Sequence, residues 1–174
     1  IGTQGLVQDS TGKLWIGTRV DGLTLADIDF AESVNTQKLT FRESRRFGQE
    51  DGLTGAQHKG IRLGDKTYFV STAGFKTYAA DQFTFYPDST LGPMFADSLF
   101  NAWNLRLDSQ NNIWVKAAYK DRSLVGRVYF GSDGKPVWDE VPYIRFNSLV
   151  NLLTFYPDDH GVVWFGGSEG IGRY

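Results

Sequence analysis

A hairpin signature that returns along the chain constrains its fold more than any other feature. Leu6-Val7-Gln8-Asp9-Ser10-Thr11-Gly12-Lys13-Leu14-Trp15-Ile16-Gly17-Thr18 reads as strand, tight turn, strand. Asp9 and Ser10 can bond their own backbone, and Gly12 takes positive φ without steric cost. In the second arm Leu14 and Ile16 fall on one face, Trp15 and Gly17 on the other. Leu105 to Val115 repeats the pattern with Asp108, with Asn111 in the glycine's place, and with Trp114. Phe155 to Phe165 repeats it with Asp158, Gly161 and Trp164. Each time the Asp stands six residues before the Trp, and the Gly or Asn three before it. A weaker copy, Ile61 to Thr72, has a shorter Gly64-Asp65 turn and Tyr68 at the Trp position. The anchors 15, 68, 114 and 164 are 53, 46 and 50 residues apart. A period near 50 built from strand-like segments alone points to a β-propeller or similar array.

Each copy continues alike. A third strand follows at Gly22 to Leu25, Gly74 to Tyr78, Leu124 to Phe130 and Gly170 to Tyr174. A fourth, outer strand follows in three copies, at Leu39 to Arg42, Gln82 to Tyr86 and Pro136 to Asp139. The expectation is an all-β chain, one propeller segment over 1–174, with about four antiparallel blades at 1–46, 47–93, 94–146 and 147–174. The last blade lacks its outer strand. The nearest approach to a helix is Ala26 to Asn35, where the spacing allows one turn. Trp15, Trp114 and Trp164 are expected to be buried between sheets, with Tyr68 in the same role.

Composition narrows the function. A formal net charge of −2 leaves no broad basic field for a nucleic-acid backbone. The run Phe41 to Arg46 is short and interrupted by Glu43, and reads as a solvated outer strand or loop. With no cysteine, disulfides, iron–sulfur clusters and thiol catalysis are excluded. No apolar run approaches the roughly 18 residues of a membrane helix. The sequence opens at Ile1 directly in strand-like residues, which suggests an excised piece of a longer protein.

Candidate chemistry is sparse. Asp9, Asp108 and Asp158 sit at hairpin corners and are better explained as turn residues bonding backbone N–H groups than as acids or metal ligands. Gly166-Gly167-Ser168-Glu169-Gly170 has the letters of a nucleophile elbow. That motif needs a helix behind the Ser, and here another strand follows. His160 lies in a hairpin turn. His58 leads into an inner strand and reads as facing the central channel; two histidines on different blades make a poor zinc site. Asp139-Glu140 and Asp158-Asp159 point to opposite faces as strand neighbours, so neither is an acid/base pair. No catalytic residue, metal or cofactor is expected. A ligand, if bound, is expected where inner strands begin and second strands end. That face takes His58, Lys59, Asn101, Trp103, Asn147 and Asn151, with Arg19, Asp21, Tyr119 and Glu169 from loops.

The pattern Asp9 to Thr18, followed by Gly22-Leu23, together with the introducing stretch Glu50-Asp51-Gly52-Leu53, resembles the two-component regulator propeller repeat. The resemblance covers nearly the whole chain as four repeats, strongest in the first, good in the fourth (Asp158 to Gly167, Gly170-Ile171), and weakest in the second. It implies a non-catalytic, ligand-sensing part of a bacterial receptor, periplasmic and membrane-anchored through its parent protein. The output would be a histidine kinase, a hybrid response regulator or a diguanylate cyclase. The implied partner is a small molecule, carbohydrate-type among others, and not nucleic acid. Raw sheet flanks at the ends of a partial, open ring would favour self-association through end blades, or contact with remaining blades of a longer receptor. Two alternatives stay open here: a propeller glycoside hydrolase or lyase fragment, since the turn is a cousin of the sialidase Asp-box, and a protein-interaction scaffold.

Overall fold

The computed structural model describes residues 3–38, 40–140, 152–168 and 170–174, without the side chains of Phe30, Leu152 and Leu153. Four antiparallel meanders follow one another, each hydrogen-bonded in chain order. The first sheet comprises β1 (Thr3–Gln8), β2 (Leu14–Thr18), β3 (Leu23–Ile28) and β4 (Phe41–Phe47). The second comprises β5 (Lys59–Leu63), β6 (Lys66–Ser71), β7 (Gly74–Ala79) and β8 (Thr84–Pro87). The third comprises β9 (Asn101–Leu107), β10 (Ile113–Tyr119), β11 (Arg122–Phe130) and β12 (Pro136–Asp139). The fourth has three strands, β13 (Leu152–Pro157), β14 (Val163–Gly167) and β15 (Gly170–Arg173). The chain divides into two compact units, Ile1–Asp88 and Ser89–Tyr174, each holding two of these sheets.

Two short α-helices interrupt the strands among the described residues: α1 (Phe30–Thr36) and α2 (Pro93–Ala96). The first is longer than the single turn expected from its sequence. Asp29 starts it by accepting the Glu32 N–H at 3.0 Å and is itself paired with Arg42 at 3.1 Å. Arg42 belongs to β4, so the basic run is a strand, and it is largely exposed as expected. No helix among the described residues is long and apolar enough to cross a membrane.

The repeated hairpins are built alike to the level of single atoms. Asp9 Oδ1 accepts the N–H groups of Thr11 at 2.9 Å and Lys13 at 3.1 Å, while Oδ2 accepts Trp15 Nε1–H at 2.8 Å. Asp108 takes Gln110 and Asn112 N–H and Trp114 Nε1–H, each at 2.9 Å. Asp158 takes His160 and Val162 N–H and Trp164 Nε1–H, again each at 2.9 Å. Gly12, Asn111 and Gly161 have φ of 87, 63 and 80°, the left-handed region that closes such a turn. Register confirms the likeness further along. Residues 4, 103 and 153 are each the extra residue of a bulge, opposite the step from Trp+2 to Trp+3.

The indoles anchor two cores. Trp15 is buried among Phe69 at 4.7 Å, Tyr78 at 4.9 Å, Phe47 at 5.5 Å and Phe85 at 5.9 Å. Trp114 is buried with Val125, Phe155, Val163 and Phe165. Tyr68 is buried on the face of the second sheet opposite Phe69. Trp164 departs from expectation, with 40% of its surface exposed. Trp15 and Trp114 are each covered by the sheet that follows them in the chain.

Candidate functional site

The end of the first unit where β2 finishes and β5 begins forms a polar cleft of about 350 Å³. Its walls are the β2–β3 loop (Val20, Asp21, Gly22), the end of β4 with the turn after it (Arg46, Phe47, Gly48, Gln49, Glu50), and Leu53, Gly55 and His58. Local hydrogen bonds set this shape. Thr18 N–H and Oγ1–H both donate to the Gly22 carbonyl, and Asp21 N–H donates to Thr18 Oγ1. The Glu50-Asp51-Gly52-Leu53 stretch begins in a one-turn 3-10 helix over Gln49–Asp51 and leaves it at Gly52. Asp51 accepts the Gly48 N–H at 2.9 Å and pairs with Arg45 at 3.7 Å. His58 N–H donates to the Thr18 carbonyl at 2.9 Å, which brings two backbones into contact. A Cβ on Gly17 would stand 2.0 Å from the His58 carbonyl oxygen, so the approach requires glycine.

His58 is a wall of the cleft, and only 2% of it is exposed. Burial depresses its pKa, its bond to the Gly55 carbonyl works the other way, and the nearby Lys76 ammonium depresses it further. Lys76, 6% exposed, is also held below the ordinary lysine range by burial. Sequence reasoning missed Lys76 because a lysine inside an alternating strand reads as a solvent-facing residue. It also missed Arg46, Gln49 and Glu50, which belonged to a basic run and an interblade loop.

The other expected ligand residues scatter. Lys59 opens β5 half-buried, and Arg19 is exposed, its carbonyl accepting the Gln57 N–H at 2.7 Å. In the second unit, Asn101 is half-buried with an Oδ1 that has no hydrogen-bond partner among the described residues. Trp103 occupies the β9 bulge, 39% exposed, with the Lys116 ammonium 5.3 Å from its ring centroid. Tyr119 O–H donates to Asp97 at 3.0 Å. Asn147, Asn151 and Glu169 lie outside the described residues. The structure thus joins Asp21 and His58 in one cleft, in the first unit. Within the second unit, a cleft of about 380 Å³ lies between the Asp108 and Asp158 hairpins, lined also by Trp114, Arg127 and His160. Both aspartates there are committed to their turns.

No family model matches the chain. No curated protein matches it either. Its fold is similar to that of solved extracellular domains from B. thetaiotaomicron. One belongs to BT3049, described as a hybrid two-component system: 17% identity, TM-score 0.57, covering 99% of this chain and 21% of that one. Another is BT4673, described in one structure as a one-component system (14% identity, TM-score 0.51, 98% and 29% covered). A second BT4673 structure describes it as a hybrid two-component system (16%, 0.50, 98% and 27%). At such identities the likeness is one of fold. The chain spans between a fifth and three-tenths of these domains.

Proposed function

We propose that this chain is a ligand-sensing segment from the extracytoplasmic part of a two-component-type receptor, its four sheets acting as propeller blades, without catalysis of its own. The observation that carries the reading is the triplicated hairpin lock. Asp9, Asp108 and Asp158 spend both carboxylate oxygens on backbone N–H groups and an indole, so the most regular acids in the sequence are structural. The likeness over nearly the whole chain to extracellular domains of such systems supports the same reading. A small polar molecule, of carbohydrate type among others, is the ligand class that fits the cleft at His58.

Association through end sheets belongs to this proposal. Tyr156, Trp164 and Ile171 share one face of the fourth sheet and are 59, 40 and 81% exposed, the face that is covered in the first and third sheets. The functional test is a thermal-shift screen against mono- and oligosaccharides and short peptides, because binding to the folded state alone raises Tm. A saturable rise with an unaltered compound supports sensing. Conversion of a panel member to product refutes it.

A further inference from the structure

The β1–β2 hairpin end of the first unit holds a second cleft, of different chemistry from the one at His58. Its volume is about 410 Å³, within the ~300–1,000 Å³ range of small-molecule sites. Leu25, Tyr78, Ala80 and Phe83 supply an apolar body, together with the buried Trp15. The charged groups that line it are Asp9, Lys13, Glu43 and Arg45, two acids and two bases, and each is already answered. Asp9 is held in its turn, Lys13 lies 3.5 Å from Glu43, and Arg45 lies 3.7 Å from Asp51. Charge complementarity therefore favours a neutral occupant.

Two further features point to a ligand. Phe83, in the turn before β8, has φ of 53°, a left-handed backbone that a bulky residue adopts only at a cost. Folding stability alone would place Gly or Asn there. The Phe83 ring is nonetheless 47% exposed, so burial repays little of that cost. The Arg45 guanidinium, 4.3 Å from its centroid, steadies the ring as a wall of the cleft. The second feature is Tyr78. Its ring is packed against Trp15, Phe85 and Phe47 at 4.9, 5.0 and 5.3 Å, yet its O–H has no hydrogen-bond partner among the described residues. That hydroxyl is not closed off from solvent, so a rigidly held ring presents one unspent donor and acceptor.

We propose that this cleft binds a small neutral aromatic molecule bearing one hydroxyl or carbonyl group, with its ring against Phe83 and Leu25 and its polar group on the Tyr78 hydroxyl. A sugar is a poor fit, because its several hydroxyls would be desolvated against an apolar wall with one partner between them. The site is separate from the His58 cleft and does not depend on the sensing reading.

The test is titration of the full chain with p-cresol, toluene and methyl β-glucoside, followed by the NMR shifts of the Leu25 methyls and the Tyr78 ring. p-Cresol should give saturable shifts at both residues. In Tyr78→Phe it should bind about fivefold more weakly, as one hydrogen bond is lost, while toluene binds as before. Phe83→Gly suits the left-handed backbone, so Tm should hold or rise while both ring compounds lose their binding. A lowered Tm in Phe83→Gly with p-cresol binding intact would make Phe83 a structural clamp and overturn the site. Shifts that do not saturate, or equal weakening of p-cresol and toluene in Tyr78→Phe, would overturn it too. Tighter binding of the glucoside at the same signals, or of the peptide acetyl-Gly-Tyr-Gly-amide, would refute the small aromatic occupant.

Discussion

The β9–β10 hairpin and the β5–β6 hairpin occupy the same place in their sheets and are held in different ways. In the first, Asp108 fastens two backbone N–H groups and the Trp114 indole, and a bulge follows at Trp103. In the second, a two-residue Gly64-Asp65 turn closes the strands with unbroken register and no bulge. Tyr68 is steadied instead by the Lys66 ammonium, 4.6 Å from its ring and 2.6 Å from Asp88. The sheet that departs from the repeat and the residues flanking it carry most of the buried polar side chains in the described residues: Ser71 and Lys76 on its strands, His58 and Asp88 just outside them, with Thr18 and Asn112 elsewhere. Regularity marks scaffold, and its lapse marks the region where polar groups were admitted to the interior.

The largest break in this contrast comes from the anchor itself. Trp114→Ala should cost about 3–5 kcal/mol, by removing a buried ring and freeing Asp108, measured by chemical denaturation. Trp164→Ala should cost clearly less, because Trp164 is already 40% exposed although its carboxylate bond is the same. Equal losses at the two sites would show that burial does not distinguish them.

Removing the carboxylate is the next effect in size. Asp108→Ala leaves an indole and two backbone donors unpaired and should cost about 2 kcal/mol. The pH dependence has a defined sign. Burial raises the Asp108 pKa, but the bonds from Trp114, from the Asn112 side chain and N–H, and from Gln110 together bring it below the ordinary 3.8. A group depressed on folding contributes stability that is intact above its unfolded pKa, so the loss falls below about pH 3.8. Asp108→Ala should flatten that acid limb in a Tm-versus-pH series. An unchanged limb would remove Asp108 from the acid response.

A smaller effect tests the turn. Gly161→Val should destabilise by more than about 1 kcal/mol, whereas Asn111→Gly should be neutral or slightly stabilising, because both positions hold positive φ. Comparable losses from the two substitutions would contradict the shared turn conformation.

Much of the scaffold was legible in the sequence because it is local. The Asp-to-Trp interval, the Gly or Asn three before the Trp, and alternating strand residues all act within a dozen positions, and the four meanders follow from them. The same six-residue interval was read only as turn chemistry. That the free carboxylate oxygen reaches back to the indole depends on the turn's three-dimensional path. Helix α1 was underestimated because Asp29 as its cap is one polar residue among several. The cleft was half legible. Asp21 and His58 follow from strand order, but Arg46, Gln49 and Glu50 reach the cleft through the end of β4 and the turn after it, a tertiary placement that a basic run and an interblade loop do not record. Trp164 was misplaced for the converse reason: its pattern matches Trp15, and its 40% exposure is set by tertiary packing that the pattern does not record.

The most direct test of the hairpin lock is a double-mutant cycle on Asp108→Asn and Trp114→Phe, run beside a control cycle on Asp65→Asn and Tyr68→Phe. A coupling of about 1 kcal/mol is expected for the first pair and none for the second, as a hydrogen bond joins only the first. Additive losses at Asp108 and Trp114, or equal coupling in both pairs, would contradict the lock as what sets the three regular hairpins apart.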